Sequence, residues 1–86
     1  MDIKTSKAIK VEVISPDKTI FTGEVLALSS TNKMGRFDIL PMHTNFISLI
    51  KKEVTLHLLD GTKNTINLNQ GVVYCLNNEV KVFIGI

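Results

Sequence analysis

The stretch Glu53-Val54-Thr55-Leu56-His57-Leu58-Leu59-Asp60-Gly61-Thr62-Lys63-Asn64-Thr65-Ile66-Asn67-Leu68-Asn69 carries the strongest fold signal in the chain. Val54, Leu56 and Leu58 alternate with Thr55, His57 and Leu59, the period of a half-buried strand. Asp60-Gly61 follows, a two-residue hairpin signal because both residue types tolerate positive φ. Beyond the turn, Ile66 and Leu68 share one face of a returning strand. The unit is a β-hairpin, and the rest of the chain repeats its logic.

Towards the N-terminus, Ile9, Val11 and Val13 alternate with Lys10 and Glu12, and Ser15-Pro16-Asp17-Lys18 reads as a turn. Thr19-Ile20-Phe21 is extended and ends at Thr22-Gly23; Glu24 to Ser30 resumes. Thr31 to Gly35 is a polar loop holding Met34. Arg36 to Leu40 alternates again and stops at Pro41, which has no N–H for a ladder. Phe46 to Ile50 is an apolar, strand-like run. Towards the C-terminus, Gln70-Gly71 breaks the pattern and Val72 to Leu76 reads as a buried strand. Asn77-Asn78 is a second hairpin turn, and Val80, Val82 and Ile84 alternate to the end. No stretch sustains helical spacing. The expectation is all-β: a small antiparallel β-sandwich or flattened barrel of about eight to ten short strands. Residues 1–7 read as a frayed tail, leaving 8–86 as the single domain.

Composition sets limits on function. The chain has 86 residues, 44% of them hydrophobic, and ten Lys and Arg against eight Asp and Glu. A net charge of +2 is too small to suggest a polyphosphate binder. No apolar run reaches the roughly 20 residues of a membrane span, and the start has no signal-peptide core. The one cysteine, Cys75, forms no internal disulfide and reads as a small buried hydrophobe. His57 lies in an alternating strand as an ordinary face residue, and His43 sits in a loop. No acid-base pair, nucleophile set, phosphate loop or metal spacing is present, so no enzyme, cofactor or metal is expected. Aromatics are not interleaved with Lys and Arg as a base-stacking platform requires. Phe37 and Phe46, on either side of Pro41, read as core. Met34 and Met42 read as loop residues suited to a contact, on one end of the sandwich if both are exposed.

Several ordered segments carry a family likeness. Val11-Glu12-Val13-Ile14-Ser15-Pro16-Asp17, followed by Ile20-Phe21-Thr22-Gly23-Glu24-Val25, resembles the opening of the epsilon subunit of F-type ATP synthase. Gly35-Arg36-Phe37-Asp38-Ile39-Leu40-Pro41-Met42-His43 looks like that family's Gly-Ile-Leu-Pro-Gly-His element. Gln70-Gly71-Val72-Val73-Tyr74-Cys75 and Asn77-Asn78-Glu79-Val80-Lys81-Val82 are similar to its closing strands. Asp38, Met42 and Gln70 stand where the family usually has glycine. The family continues into a two-helix domain that inhibits ATP hydrolysis and in some bacteria binds ATP. This chain stops at Ile86, so neither activity is expected of it.

The resemblance implies a non-catalytic rotor part at the foot of the central stalk. It would pack on the gamma subunit, meet the c-ring, and help couple ion flow to ATP synthesis. Its place would be peripheral, on the cytoplasmic face of a bacterial plasma membrane or the matrix or stromal face in an organelle. Carried over by position, Met34, Gly35, Arg36, Met42 and His43 would face the c-ring, with Arg36 foremost. No nucleic acid or small-molecule substrate is implied. The alternative is a free-standing β-barrel that binds oligonucleotide or carbohydrate, which would need aromatics on an open face.

Overall fold

A computed structural model describes residues 7–85. The expected tail, Lys7 apart, and the terminal Ile86 lie outside the described residues. Six strands form one sheet: β1 (Ile9–Ile14), β2 (Thr19–Asn32), β3 (Gly35–Ile39), β4 (Phe46–Leu58), β5 (Lys63–Leu76) and β6 (Glu79–Ile84). Their order is β1-β6-β5-β4-β2-β3, and β1 also pairs with β2. That pairing closes β1, β2, β4, β5 and β6 into a barrel, with β3 added outside β2.

The all-β expectation holds, but there are fewer and longer strands than the eight to ten expected. Apparent breaks in the pattern are changes of face within continuous strands. In β5, Ile66 and Leu68 pack against the core before the break, while Gly71, Val73 and Cys75 point inward after it. The register shifts where Lys51 pairs with Gln70 but Lys52 pairs with Leu68, so Asn69 is the extra residue. A single bulged residue moves the following side chains to the opposite face. β2 does the same between Val25 and Ala27. Val25 is buried on one parity and Leu28 and Ser30 on the other.

One pairing is parallel: Val11 of β1 lies opposite Val80 of β6. The other pairings are antiparallel. Five strands that alternate in direction around a closed ring must leave one neighbouring pair running the same way. Here it is the first and last strands.

The core is aliphatic. Ile9, Val11, Val13, Val25, Leu28, Ile39, Val54, Leu56, Val73, Val80 and Val82 are all essentially inaccessible. Burying each such side chain contributes about 1.5–3 kcal/mol before chain entropy is counted. Phe37 and Phe46 pack against this core with ring centroids 5.8 Å apart at 85°, an edge-to-face pair. Cys75 is buried, as expected, and desolvation pushes its thiol pKa up, away from the reactive thiolate.

The turns follow their sequence signals. Asn77 and Asn78 have φ of 51° and 66°, the left-handed pair of a type I′ hairpin. In the 59–62 loop, Asp60 Oδ1 accepts from the Thr62 backbone N–H at 2.9 Å and the Thr62 hydroxyl at 2.7 Å. In the first turn, the Ser15 N–H donates to the Lys18 carbonyl at 2.9 Å.

Two outcomes test these statements. A Cβ built on Gly71 would stand 2.5 Å from the Phe83 carbonyl oxygen. Gly71→Ala must therefore displace β6 backbone, and a loss of about 1–3 kcal/mol is expected by denaturant unfolding. The Thr62 bonds hold the Asp60 carboxyl below its ordinary value of 3.8. Its contribution is present above that pH and fades as pH falls through the lower, folded-state value. Asp60→Ala should thus be less stable than the parent at pH 7, with the gap closing in acid unfolding below about pH 4.

Candidate protein-docking surface

Outward-facing side chains of β4, β5 and β6 fall on cross-strand rungs. Leu49 lies opposite Val72, and Val72 opposite Phe83. On the next rung Ile47 lies opposite Tyr74, and Tyr74 opposite Lys81. Leu49 is 74% exposed and Ile47 63%; Tyr74, Leu76 and Phe83 are also exposed. Neighbouring positions on one sheet face lie about 5 Å apart across strands. These residues therefore make one apolar surface, while the opposite face of the same strands fills the barrel.

The sequence contained a signal for this surface. Phe46 to Ile50 and Val72 to Leu76 are nearly continuous apolar runs, the signature of strands covered on both faces. The barrel covers only one. A continuous outward apolar face on a small chain is characteristic of an interaction site.

Met34 stands at the tip of the β2–β3 hairpin, 88% exposed. Its N–H donates to Asn32 Oδ1 at 2.8 Å, which fixes the turn. Gly35 follows with φ of 117°, a conformation L side chains rarely adopt. Arg36 is a strand residue rather than a loop residue. Its guanidinium reaches across β2 to Glu53 Oε2 of β4 at 3.1 Å.

Met42 is 69% exposed, in the loop after β3, with φ of 68°. Its N–H donates to Asn78 Oδ1 at 2.8 Å, and the Asn77 N–H donates to Asn45 Oδ1 at 2.8 Å. The loop is thereby tied to the β5–β6 turn. His43 donates from Nδ1 to the Thr44 carbonyl at 2.7 Å and lies against Phe46, ring centroids 5.0 Å apart.

Both methionines are exposed, but they do not share one end. β3 separates them, five residues at about 3.3 Å each, or roughly 17 Å. Met34, Gly35 and Arg36 form one group; Met42 and His43 form another beside the Asn77–Asn78 turn. Sequence proximity suggested a single patch, and the extended strand between the two loops keeps them apart.

A side-chain link that sequence reading missed crosses the sheet nearby. Ser29 of β2 donates to Asp38 Oδ1 of β3 at 2.5 Å. Its Oγ lies 2.9 Å from His57 Nε2 of β4. The single hydroxyl proton goes to Asp38, so His57 is the donor to Ser29. The three residues stand far apart in sequence, and only strand order brings them together. Ser29 is 3% exposed, and its hydroxyl links β3 to β4 across β2.

Among the described residues there is no group of His, Cys, Asp or Glu that could hold a metal ion. No helix is long and apolar enough to cross a membrane among them. Fold and surface together define a small closed β-barrel module with one sheet face left apolar.

That module has relatives. The β-sandwich domain of the ATP synthase delta/epsilon chain matches residues 8–85, and this chain belongs to that family. The ATP synthase epsilon chain of Nitratiruptor sp. is 32% identical over 77 residues, covering 88% of this chain and 60% of the relative. That of Clostridium botulinum (strain Eklund 17B) is 31% identical over 74 residues, covering 85% and 55%. The chain thus spans between 55% and 60% of the length of these curated relatives. A chain in the Euglena gracilis mitochondrial ATP synthase structure (OSCP/F1/c-ring) superposes with a TM-score of 0.88 at 15% identity, over 98% of this chain and 54% of that one. One in the Tetrahymena thermophila central stalk/c-ring structure gives 0.74 at 10% identity, over 95% and 66%. At these identities the structural likeness speaks for the fold alone.

The Ser29 link yields a test. Ser29→Ala removes both bonds and is expected to cost about 1 kcal/mol. Amide exchange at Arg36 to Asp38 should quicken, while exchange in the barrel strands stays close to the parent's.

Proposed function

We propose that this chain is a non-catalytic central-stalk subunit of an F-type ATP synthase. In this reading the apolar face built on Ile47, Leu49, Val72, Tyr74 and Phe83 packs on the gamma subunit. The β2–β3 hairpin with Met34, Gly35 and Arg36 faces the c-ring. Met42 and His43, at the other end of β3, adjoin the first residues of β4 and are available to gamma. Docked in this way, the barrel helps transmit rotation between ion flow and ATP synthesis. It is held at the membrane surface by its partners, on the cytoplasmic face in a bacterium or the matrix or stromal face in an organelle.

The observation that carries the reading is the exposed sheet face. A free-standing oligonucleotide or carbohydrate barrel would want its aromatics on an open platform. Phe21, Phe37 and Phe46 instead pack against the core, and Tyr74 and Phe83 alone of the aromatics lie on the open face. The outward face is mainly aliphatic, which suits the centre of a protein–protein contact. The Arg36–Glu53 pair adds little to the fold, because Arg36 is largely in water. Exchanging Glu53 for a partner's carboxylate would therefore cost the fold little.

The test is titration calorimetry of the chain with the gamma subunit of the same enzyme. Saturable one-to-one binding is expected. Leu49→Asp should weaken it by at least about tenfold, since burying an unpaired carboxylate costs several kcal/mol, with the melting temperature nearly unchanged because Leu49 is outside the core. Absence of binding by the folded parent chain would overturn the reading.

A further inference from the structure

Strand β3 is the open end of the sheet. It pairs with β2 along one edge and meets no other strand among the described residues. The two-residue loop Lys33-Met34 makes Asn32 and Gly35 a hydrogen-bonded pair, and bonded pairs alternate along the ladder from there. Phe37 and Ile39 therefore turn their N–H and C=O groups to β2, while Arg36 and Asp38 turn theirs to the free edge. Such an edge is a template for a further strand unless something blocks it. No bulge interrupts β3, no proline or lysine lies within it, and its two charges are of opposite sign.

The side chains along this edge are self-complementary in order. Met34, Arg36, Asp38 and Leu40 are exposed at alternate positions. A second copy of the chain, laid antiparallel with the two-fold axis at Phe37, brings Arg36 opposite Asp38 of the other copy and Met34 opposite Leu40. Each opposition occurs twice, as in any isologous contact, and Phe37 meets its counterpart at the axis. Arg36 and Asp38 are also the residues whose backbone groups face the edge, so these same pairs can exchange backbone hydrogen bonds.

Charge selects this register over its neighbours. An axis at Arg36 sets two guanidinium groups against each other, and an axis at Asp38 does the same with two carboxylates; like charges directly opposite are destabilising. Both groups are available for the pairing. Asp38 accepts from Ser29 through Oδ1, which leaves Oδ2. Arg36 engages Glu53 through one terminal nitrogen, which leaves its other donors. We propose that two copies of this chain pair edge to edge through β3, in the register centred on Phe37, as a two-fold dimer with a continuous sheet across it.

The dimer is weak and reversible, because an edge of five residues buries less than the roughly 1,200–2,000 Å² of a stable complex. It leaves the outward face of β4, β5 and β6 uncovered, since β2 stands between β3 and β4. It covers Met34 and Arg36, and so excludes the c-ring contact proposed above. Pairing is a state of the chain outside the assembled enzyme, and it needs nothing from the stalk reading.

The test is sedimentation equilibrium of the full chain from about 10 μM to about 1 mM, the range of weak complexes. A reversible monomer–dimer equilibrium is expected. Arg36→Asp opposes carboxylates and Asp38→Arg opposes guanidinium groups, so each alone should weaken the dimer about tenfold or more. Mixed one to one, these two variants should form a heterodimer, because every opposed pair then has opposite signs. The double variant Arg36→Asp/Asp38→Arg should pair again as the parent does. Arg36→Asp leaves the Ser29–Asp38 bond in place, which separates loss of pairing from loss of β3 itself. A parent chain that stays monomeric across the range would overturn the inference. So would single variants that dimerise as tightly as the parent, or that stay apart when mixed.

Discussion

Everything in this molecule depends on bending long strands until the sheet meets itself. A five-stranded ring is too small for straight strands of fourteen residues, so β2 and β5 must turn sharply midway. They do so at bulges, and the bend in the neighbouring β4 has local support. At the bend in β4 the pairing with β2 jumps from Thr31 opposite Lys51 to Ser30 opposite Val54. The Ser30 hydroxyl donates to the Glu53 carbonyl at 2.7 Å, so a polar group buried beside the core is satisfied. Lys52 adopts a left-handed backbone that costs a non-glycine residue roughly 1–2 kcal/mol. The stability of the closed barrel offsets that local cost.

The same bends distribute function. In β2 and β5 the side chains that had faced the core face outward after the single-residue bulge, and the reverse, whereas β4 keeps one parity, with Ile50, Val54 and Leu56 all inward. The outward face of β4 is aliphatic before its bend, at Ile47 and Leu49, and polar after it, at Thr55 and His57. One half of the strand presents an apolar surface while the other carries the Ser29–His57 link on the β3 side. The docking surface and the strap that secures the added strand are two consequences of one strand changing its surroundings along its length.

Much of this was legible in the residues. The Asn77-Asn78 turn, the reversal at Asp60-Gly61 (though as a four-residue loop rather than a two-residue one), the stop at Pro41, the burial of Cys75 and the packing of Phe37 and Phe46 against the core all follow from local chemistry. The number of strands was not legible. A bulge such as the one at Asn69 and a true turn interrupt hydrophobic alternation in the same way, and only the ladder tells them apart. The split of the Met34 and Met42 groups was hidden because nearness in sequence says nothing about the length of an extended strand. The Ser29, Asp38 and His57 link depends on β2 lying between β3 and β4, a fact of topology. The apolar face had its clue in two uninterrupted hydrophobic runs, which read equally well as interior strands.

The parallel joint between β1 and β6 has a consequence for how the molecule is made. The ring closes between the first strand and the last, so the pairing of Val11 with Val80 spans nearly the whole chain. Contacts of such long range slow folding, because loop entropy is lost before they form. During synthesis the unclosed edges of β1 and β5 wait for β6 to leave the ribosome, with the barrel's aliphatic lining still in water. Ribosome-bound chaperones or rapid handover to an assembly partner would matter most in that interval.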